Sequence, residues 1–266
     1  MYNFEVKMVK SLSAAVRNLK VEGTQILGGG QTLIPTLKQR LASPTSLISI
    51  ALIDKLKGIS KNDSNEIVIG GATTHAEVSK NGIDYEAISI LAGKIGDPAV
   101  RHRGTIGGSI ANNDPSACYP AAVLGSGATI ITSAREILSD NFFLGLFSTA
   151  LNQGEVITQV KFPIPLCASY QKFDQPASRF ALVGVFVARF NYGVRVAVTG
   201  ASENGVFRWK QVEKILSKKF EIGNLENVSL PIEDFIDDMH GSSKYRANLV
   251  RVLTKRAVYD CYKKHI

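Results

Sequence analysis

The spacing of apolar and polar positions changes several times along the chain, and each change marks an element. Ser11 or Ser13 can cap a helix over Ala14–Leu19, and Thr24–Leu27 reads as a short buried strand. Thr32–Leu41 has helical spacing, with Pro35 tolerable only in the first turn, and Leu47–Leu52 is a second apolar strand. Farther on, Glu66–Gly70 is strand-like. Thr73 or Thr74 can cap a helix through Glu77 and Val78, and Tyr85–Ile95 has helical periodicity. The run Ala121–Ile131 is small and apolar, as tightly packed elements require, and Phe142 and Phe143 read as core.

From about Ala168 the pattern becomes that of strands. Phe180–Arg189 and Val194–Gly200, joined through Asn191, Tyr192 and Gly193, suit an antiparallel hairpin. Ser243–Tyr259 predicts an amphipathic helix, with Tyr245, Leu249, Val252 and Leu253 on its buried face. Lys263 and Lys264 suit its C-terminal end. The pattern therefore divides at about Leu56 and again near Ala168, into two small α/β units and a sheet-plus-helix unit.

Composition narrows the function without naming one. The chain has 266 residues, 45% hydrophobic and 20% charged, which is ordinary for a globular protein. No apolar run approaches the roughly 20 residues needed to span a bilayer. The N-terminus lacks the apolar centre of a signal peptide, so a cytoplasmic protein is expected. The net charge of +8 is spread along the chain with no aromatic-basic module, which argues against nucleic acid; it reads first as a generally basic surface, and a positive field can also favour an anionic cofactor or an acidic partner. Cys118, Cys167 and Cys261 stand far apart, with no C-x-x-C for a cluster or zinc. His75 and Glu77 match half of a zinc deaminase signature whose P-C-x-x-C partner is missing. No metal site and no acid–base pair or nucleophile is expected.

Two glycine clusters carry the chemistry. Gly28, Gly29 and Gly30 precede Gln31 and Thr32; Gly104, Gly107 and Gly108 lie within Arg103–Ser109 (RGTIGGS). Glycine lets backbone N–H groups approach an anion, and successive N–H groups can form a nest. Hydroxyls of Thr32, Thr105 and Ser109 add donors. Two such segments suit the two phosphates of one ligand. Each cluster alone has a plain structural reading, as a tight turn or as close helix–strand packing. The first is not a Rossmann fingerprint, since Leu33 stands at the last glycine position, and no Walker lysine follows.

The same residues carry a resemblance. Ile26–Lys38 (ILGGGQTLIPTLK) and Ile95–Pro115, with its Gly-Thr-Ile-Gly-Gly core, resemble the FAD loops of the flavoprotein medium subunit of molybdenum hydroxylases. That family includes aerobic carbon-monoxide dehydrogenase and the flavin domain of xanthine dehydrogenase. Similarity continues through Tyr119–Ala122, Gly70–Thr74, Gly154–Ile157 and Tyr170–Gly184. It implies an α+β chain: a two-lobed FAD-binding domain of PCMH type over residues 1–167, with lobes of about 1–55 and 56–167. A C-terminal antiparallel sheet-plus-helix domain over 168–266 follows.

The resemblance also implies site residues. Gly28, Gly29, Gly30, Gln31 and Thr32, and then Thr105, Ile106, Gly107, Gly108 and Ser109, fall where family members contact FAD. Asn112, Asn113 and Asp114 either complete the site or form Asx turns before Pro115. Cys118 departs from a family aspartate; a thiol is a poorer acceptor, or simply a buried packing group. Ile157 matches an aliphatic residue over the flavin, or is strand core. Lys172 matches a lysine near the cofactor, or is a solvated strand residue. Ile95 stands where some relatives place an aromatic and cannot stack.

The function implied is electron transfer. FAD takes electrons from iron–sulfur clusters and passes them to a quinone, NAD or oxygen. The expected partners are a molybdopterin-binding large subunit and a [2Fe–2S] small subunit, in a dimer of heterotrimers. An independent FAD oxidoreductase and a FAD-free structural subunit are the alternatives, the latter motivated by Cys118.

Overall fold

The computed structural model describes residues 1–80, 84–226 and 228–263. The first unit has strands β1 (Glu5–Met8), β2 (Thr24–Leu27) and β3 (Ser46–Ser49), in the parallel order β1-β3-β2. Helix α1 (Leu12–Leu19) links β1 to β2, and α2 (Leu33–Lys38) lies between β2 and β3. Ser11 is the cap of α1: its Oγ accepts the Ala14 N–H at 3.2 Å. Pro35 sits in the first turn of α2, where its missing N–H has no partner to lose. The helix ends at Lys38, short of Leu41, because Arg40 turns the chain at φ 60°. The apolar run after Ser46 ends as strand at Ser49, and Leu52 lies exposed in the turn that follows.

The middle unit is an antiparallel sheet of β4 (Ile59–Lys61), β5 (Glu66–Gly70), β6 (Thr129–Thr132), β7 (Glu136–Leu138) and β10 (Ile157–Pro163), ordered β4-β5-β10-β6-β7. Between β5 and β6 run α3 (His75–Lys80), α4 (Glu86–Gly93), α5 (Pro98–Arg101), α6 (Ile106–Asn112) and α7 (Cys118–Ser126). A small hairpin, β8 (Phe143–Gly145) and β9 (Ser148–Thr149), precedes β10. Thr74 rather than Thr73 caps α3. Its Oγ1 accepts the Glu77 N–H, and the Glu77 carboxylate returns to the Thr74 N–H at 2.7 Å, completing a capping box. Thr73 is buried and bridges both backbone groups of Gly58.

The last unit is an antiparallel sheet of β11 (Cys167–Asp174), β12 (Ala181–Phe190), β13 (Gly193–Thr199) and β14 (Phe207–Arg208), with α8 (Lys210–Lys218) and α9 (Ser243–Lys263). The hairpin read from the sequence is β12–β13, in the register Phe186↔Ala197. Strand β12 is apolar at nearly every position because both its faces are covered. Phe186, Ala188 and Phe190 join the core of the middle unit, while Val183, Val185 and Val187 pack toward α8 and α9. Helix α7 fills the space between the two sheets with all nine residues buried. A Cβ on Gly125 would come within 2.9 Å of Phe186, which explains the small residues there. Arg195 of β13 closes the end of α7 by donating from Nε and Nη2 to the Leu124 carbonyl. Among the described residues no helix is long and apolar enough to cross a membrane.

The buried face of α9 differs from the periodic reading. Leu249 and Leu253 are buried, Val252 is half-buried, and Tyr245 is 42% exposed. Its neighbour Arg246 is the buried residue, because every donor edge finds an acceptor: Gly241 O, Leu182 O at 2.9 Å, Gly200 O at 2.8 Å and the Asp238 carboxylate at 2.7 Å. Lys263 ends the helix, and Lys264 lies outside the described residues. Replacing Arg246 with Leu leaves these carbonyls and Asp238 without their partner. It should cost about 3 kcal/mol in urea unfolding; a loss below about 1 kcal/mol would mean that water takes over the role.

Candidate functional site

The two glycine clusters meet. An ideal Cβ on Gly29 would lie 1.9 Å from the Arg103 carbonyl oxygen and 2.7 Å from the Gly104 Cα, so only glycine permits this backbone approach. Gly28 faces the Thr105 hydroxyl in the same manner, at 3.2 Å. Above this contact lies a cleft of about 570 Å³, walled by the first loop, the start of α6, the start of α7, and β11 with the turn that follows it. Its size suits a cofactor-sized ligand.

The clusters differ in what they offer. The N–H groups of Gly29, Gly30, Gln31 and Thr32 donate to no acceptor among the described residues. This loop is a preformed donor set for an anion. The second segment is the first turn of α6 rather than a nest, and the N–H groups of Ile106, Gly107, Gly108 and Ser109 are already used. Ile106 donates to Thr73 O at 3.1 Å and Gly107 to Gly71 O at 2.9 Å. Gly108 donates to the capping Thr105 Oγ1 at 3.2 Å, and Ser109 to Thr105 O at 3.0 Å. What remains toward the cleft are the Thr105 and Ser109 side chains and the open surface at Gly108. Gly107 is needed because a Cβ would stand 2.5 Å from Gly71 O.

Gly28, Gly29, Gly30, Gln31, Thr32, Thr105, Gly108, Ser109, Cys118 and Lys172 all line the cleft, whereas Ile106, Gly107 and Ile157 do not. Ile106 and Gly107 are fully beneath the surface. Ile157 is 5% exposed and packs into the middle core, as an alternating residue of an internal strand does. Asn113 is a structural residue. It ends α6 at φ 44°, and its Nδ2 donates to Gly145 O and Ser148 O, clamping the small hairpin. Asp114 forms an Asx turn with Ser116 N while also facing the cleft, and burial raises its carboxyl pKa.

Lys172 is not a solvated strand residue. Its side chain is 1% exposed, and Nζ donates to Lys94 O, to Arg179 O and to the Asp174 carboxylate. It thereby ties the end of α4 to the turn between β11 and β12. Cys118 opens α7 beside it. Burial pushes the thiol upward, and the Lys172 ammonium partly offsets this. The sequence reading missed Arg179 and Phe180, which reach the cleft rim from that turn, and His75 in its wall. His75 is 4% exposed, and burial together with the Arg101 charge lowers its pKa to about 4. Arg101 is held by Ile95 O and Gly96 O, each at 3.0 Å. The metal-ligand reading of His75 and Glu77 set His75 aside for lack of a cysteine partner; its place beside the capping Thr74 was the signal that reading did not use.

The model for the FAD binding domain in molybdopterin dehydrogenase matches residues 2–165. The glyceraldehyde dehydrogenase medium chain of Sulfolobus acidocaldarius is 32% identical over 272 residues, covering 96% of each chain. The carbon monoxide dehydrogenase medium chain of Hydrogenophaga pseudoflava is 29% identical, again over 96% of each. The solved carbon monoxide dehydrogenase from Hydrogenophaga pseudoflava, which lacks the Mo-pyranopterin moiety, superposes with a TM-score of 0.86 at 28% identity over 98% of both chains.

Two outcomes test this geometry. Gly29→Ala should destabilise the chain by about 3 kcal/mol, as forced overpacking does, while Gly223→Ala, where a Cβ meets nothing within 4 Å, should change little. Equal unfolding midpoints for the two variants would remove the close contact. His75 supplies a pH test. Its folded pKa lies below the ordinary 6.5, so the unfolded chain binds the proton first as pH falls. Its contribution is complete above pH 6.5 and is lost toward pH 4. The stability difference between wild type and His75→Gln should therefore shrink by about 3 kcal/mol from pH 7 to pH 4. A constant difference would mean that His75 takes up its proton in the fold as readily as in the unfolded chain, and a difference that grows toward pH 4 would mean that the fold favours the charged ring.

Proposed function

This chain belongs to the family of FAD-binding domains of molybdopterin dehydrogenases, and on that premise we propose how its cleft holds FAD and what the flavin does. The chain is the FAD-binding medium subunit of a molybdenum hydroxylase type of oxidoreductase. The observation that carries the site assignment is the free donor row Gly29–Thr32 facing the hydroxyls of Thr105 and Ser109 across one cleft. A diphosphate is the part of FAD that such donors suit, since its oxygens accept from several neutral N–H and O–H groups at once. Gly28 and Gly108 keep side chains out of its path. Ile106 and Gly107 act from below, fixing the turn through Thr73 and Gly71.

Cys118 and Lys172 wall the opposite side. Lys172 orders the Arg179–Phe180 turn through the Arg179 carbonyl, and Phe180 presents an apolar surface suited to the edge of a planar ring. Ile157 supports the floor from the core rather than touching the cleft. When bound, FAD supplies the redox chemistry that these side chains lack. The protein's part is to hold it, keep water from its buried face and set its surroundings. In this reading residues 1–167 form the flavin domain and residues 168–266 complete its wall.

The reading extends to a complex. Electrons enter from a [2Fe–2S] small subunit, having left substrate at a molybdopterin-binding large subunit, and leave to an external acceptor. The proposed assembly is a dimer of heterotrimers in the cytoplasm. The names of its medium-chain relatives, subunits of carbon monoxide and glyceraldehyde dehydrogenases, support a multi-subunit enzyme.

The purified chain should bind FAD at least about 10-fold more tightly than FMN, because FMN lacks the second phosphate and its contacts. Equal affinity for both in fluorescence titrations would refute the diphosphate site. Restoring a carboxylate with Cys118→Asp should tighten FAD by about 10-fold, equivalent to about 1.4 kcal/mol. Unchanged or weaker binding in an equally stable variant would mean that position 118 does not contact the cofactor.

A further inference from the structure

The wall of the cleft contains a polar group that neither the glycine segments nor the fold employs. His75 opens α3, and its backbone N–H donates to Gly104 O at 3.0 Å. Its ring lies against Tyr119, with centroids 5.3 Å apart. The ring edge presses on Gly104, where a Cβ would stand 2.6 Å from Nε2 and 2.8 Å from Cδ2. The imidazole therefore cannot turn freely. Its two nitrogens have different surroundings. Nδ1 is sealed and has no hydrogen-bond partner, while Nε2 is not among the sealed atoms and makes no hydrogen bond among the described residues. His75 lines the cleft, so Nε2 is the nitrogen with access to it.

A neutral imidazole carries one N–H and one bare lone pair. A buried N–H left without an acceptor is rarer than a buried acceptor left bare. The sealed Nδ1 is thus the bare nitrogen, and the proton resides on Nε2, pointing to the cleft. Position then selects the acceptor. Gly104 is the shared neighbour: His75 Nε2 packs on it, and Gly29, the first of the free donors, packs on it too. Thr105 is the next residue and also lines the cleft. The unpaired donors converge around one backbone point.

We infer that His75 is a cofactor-binding residue, whose Nε2–H donates to an oxygen of the FAD diphosphate held between Gly29–Thr32 and Thr105. The inference rests on the FAD reading above and adds a donor from outside both glycine segments. It also gives Gly104 a function: any side chain there would displace the imidazole. The ring's low affinity for a second proton keeps it neutral in the free chain, so it binds the anion as a directed donor rather than as a counter-charge.

The test uses the full chain with 15N-labelled histidine. Two-bond 1H–15N correlation spectra report which nitrogen is protonated, and only four histidines need assignment. In the free chain His75 should be the Nε2–H tautomer. FAD should shift its Nε2 resonance, whereas riboflavin, which has no phosphate, should leave it unmoved. His75→Phe should weaken FAD about 10-fold and riboflavin hardly at all, and His75→Gln, which keeps a donor, should recover part of the loss. An Nδ1–H tautomer, an Nε2 signal indifferent to FAD, or equal shifts with riboflavin would overturn the inference. If the wild-type chain binds no FAD, the functional reading fails as well. If it binds FAD and His75 does not respond, only this inference fails.

Discussion

The approach of Gly29 to the Arg103–Gly104 backbone is the constraint on which the site depends. Two separately built units, one parallel and one antiparallel, touch main chain to main chain at this point, at distances that exclude even a methyl group. The contact fixes the free N–H groups of one unit against the hydroxyls of the other. It makes one cleft from two turns that would each be an ordinary connection alone. Glycine is therefore used here for closeness more than for unusual dihedral angles, although Gly30, at φ 73°, also supplies the turn into α2.

The third unit closes the site by a different route. Helix α7 is buried between the middle and last sheets, so the position of β12 and β13 is set by packing against it. Arg195 and the Thr199 hydroxyl add polar ties, the latter donating to Pro115 O or Ala117 O just before α7. From this base β11 delivers Lys172, whose three contacts hold the turn bearing Arg179 and Phe180 at the rim. A lysine so fully occupied has no donor left over for a ligand. In the proposed site it acts through the wall it orders.

Much of this was legible in the sequence, because local rules and packing agreed. Ser11, Pro35 and the alternation in Glu66–Gly70 each mark an element that the structure contains. Both glycine clusters pointed to one cleft, and ten of the residues carried over from the resemblance line it. The misses share a cause: tertiary satisfaction that no periodicity encodes. Arg246 is buried at a position that pattern alone gives to solvent, because distant carbonyls receive its donors. Tyr245 is exposed although it fits the apolar spacing. The Thr105–Ser109 segment reads as an anion nest, yet the N–H groups of Ile106 through Ser109 are taken by Thr73, Gly71 and Thr105 itself. The half-signature of His75 and Glu77 pointed to zinc rather than to this cleft; the burial of one ring nitrogen and the access of the other single His75 out.

A crystal structure of the purified chain with FAD tests the central claim most directly. The account predicts density for the diphosphate between the N–H groups of Gly29–Thr32 and the side chains of Thr105 and Ser109, with the Gly29–Arg103 contact retained. FAD bound elsewhere on the chain, or a diphosphate in this cleft that leaves the Gly29–Thr32 donors unused, would contradict it.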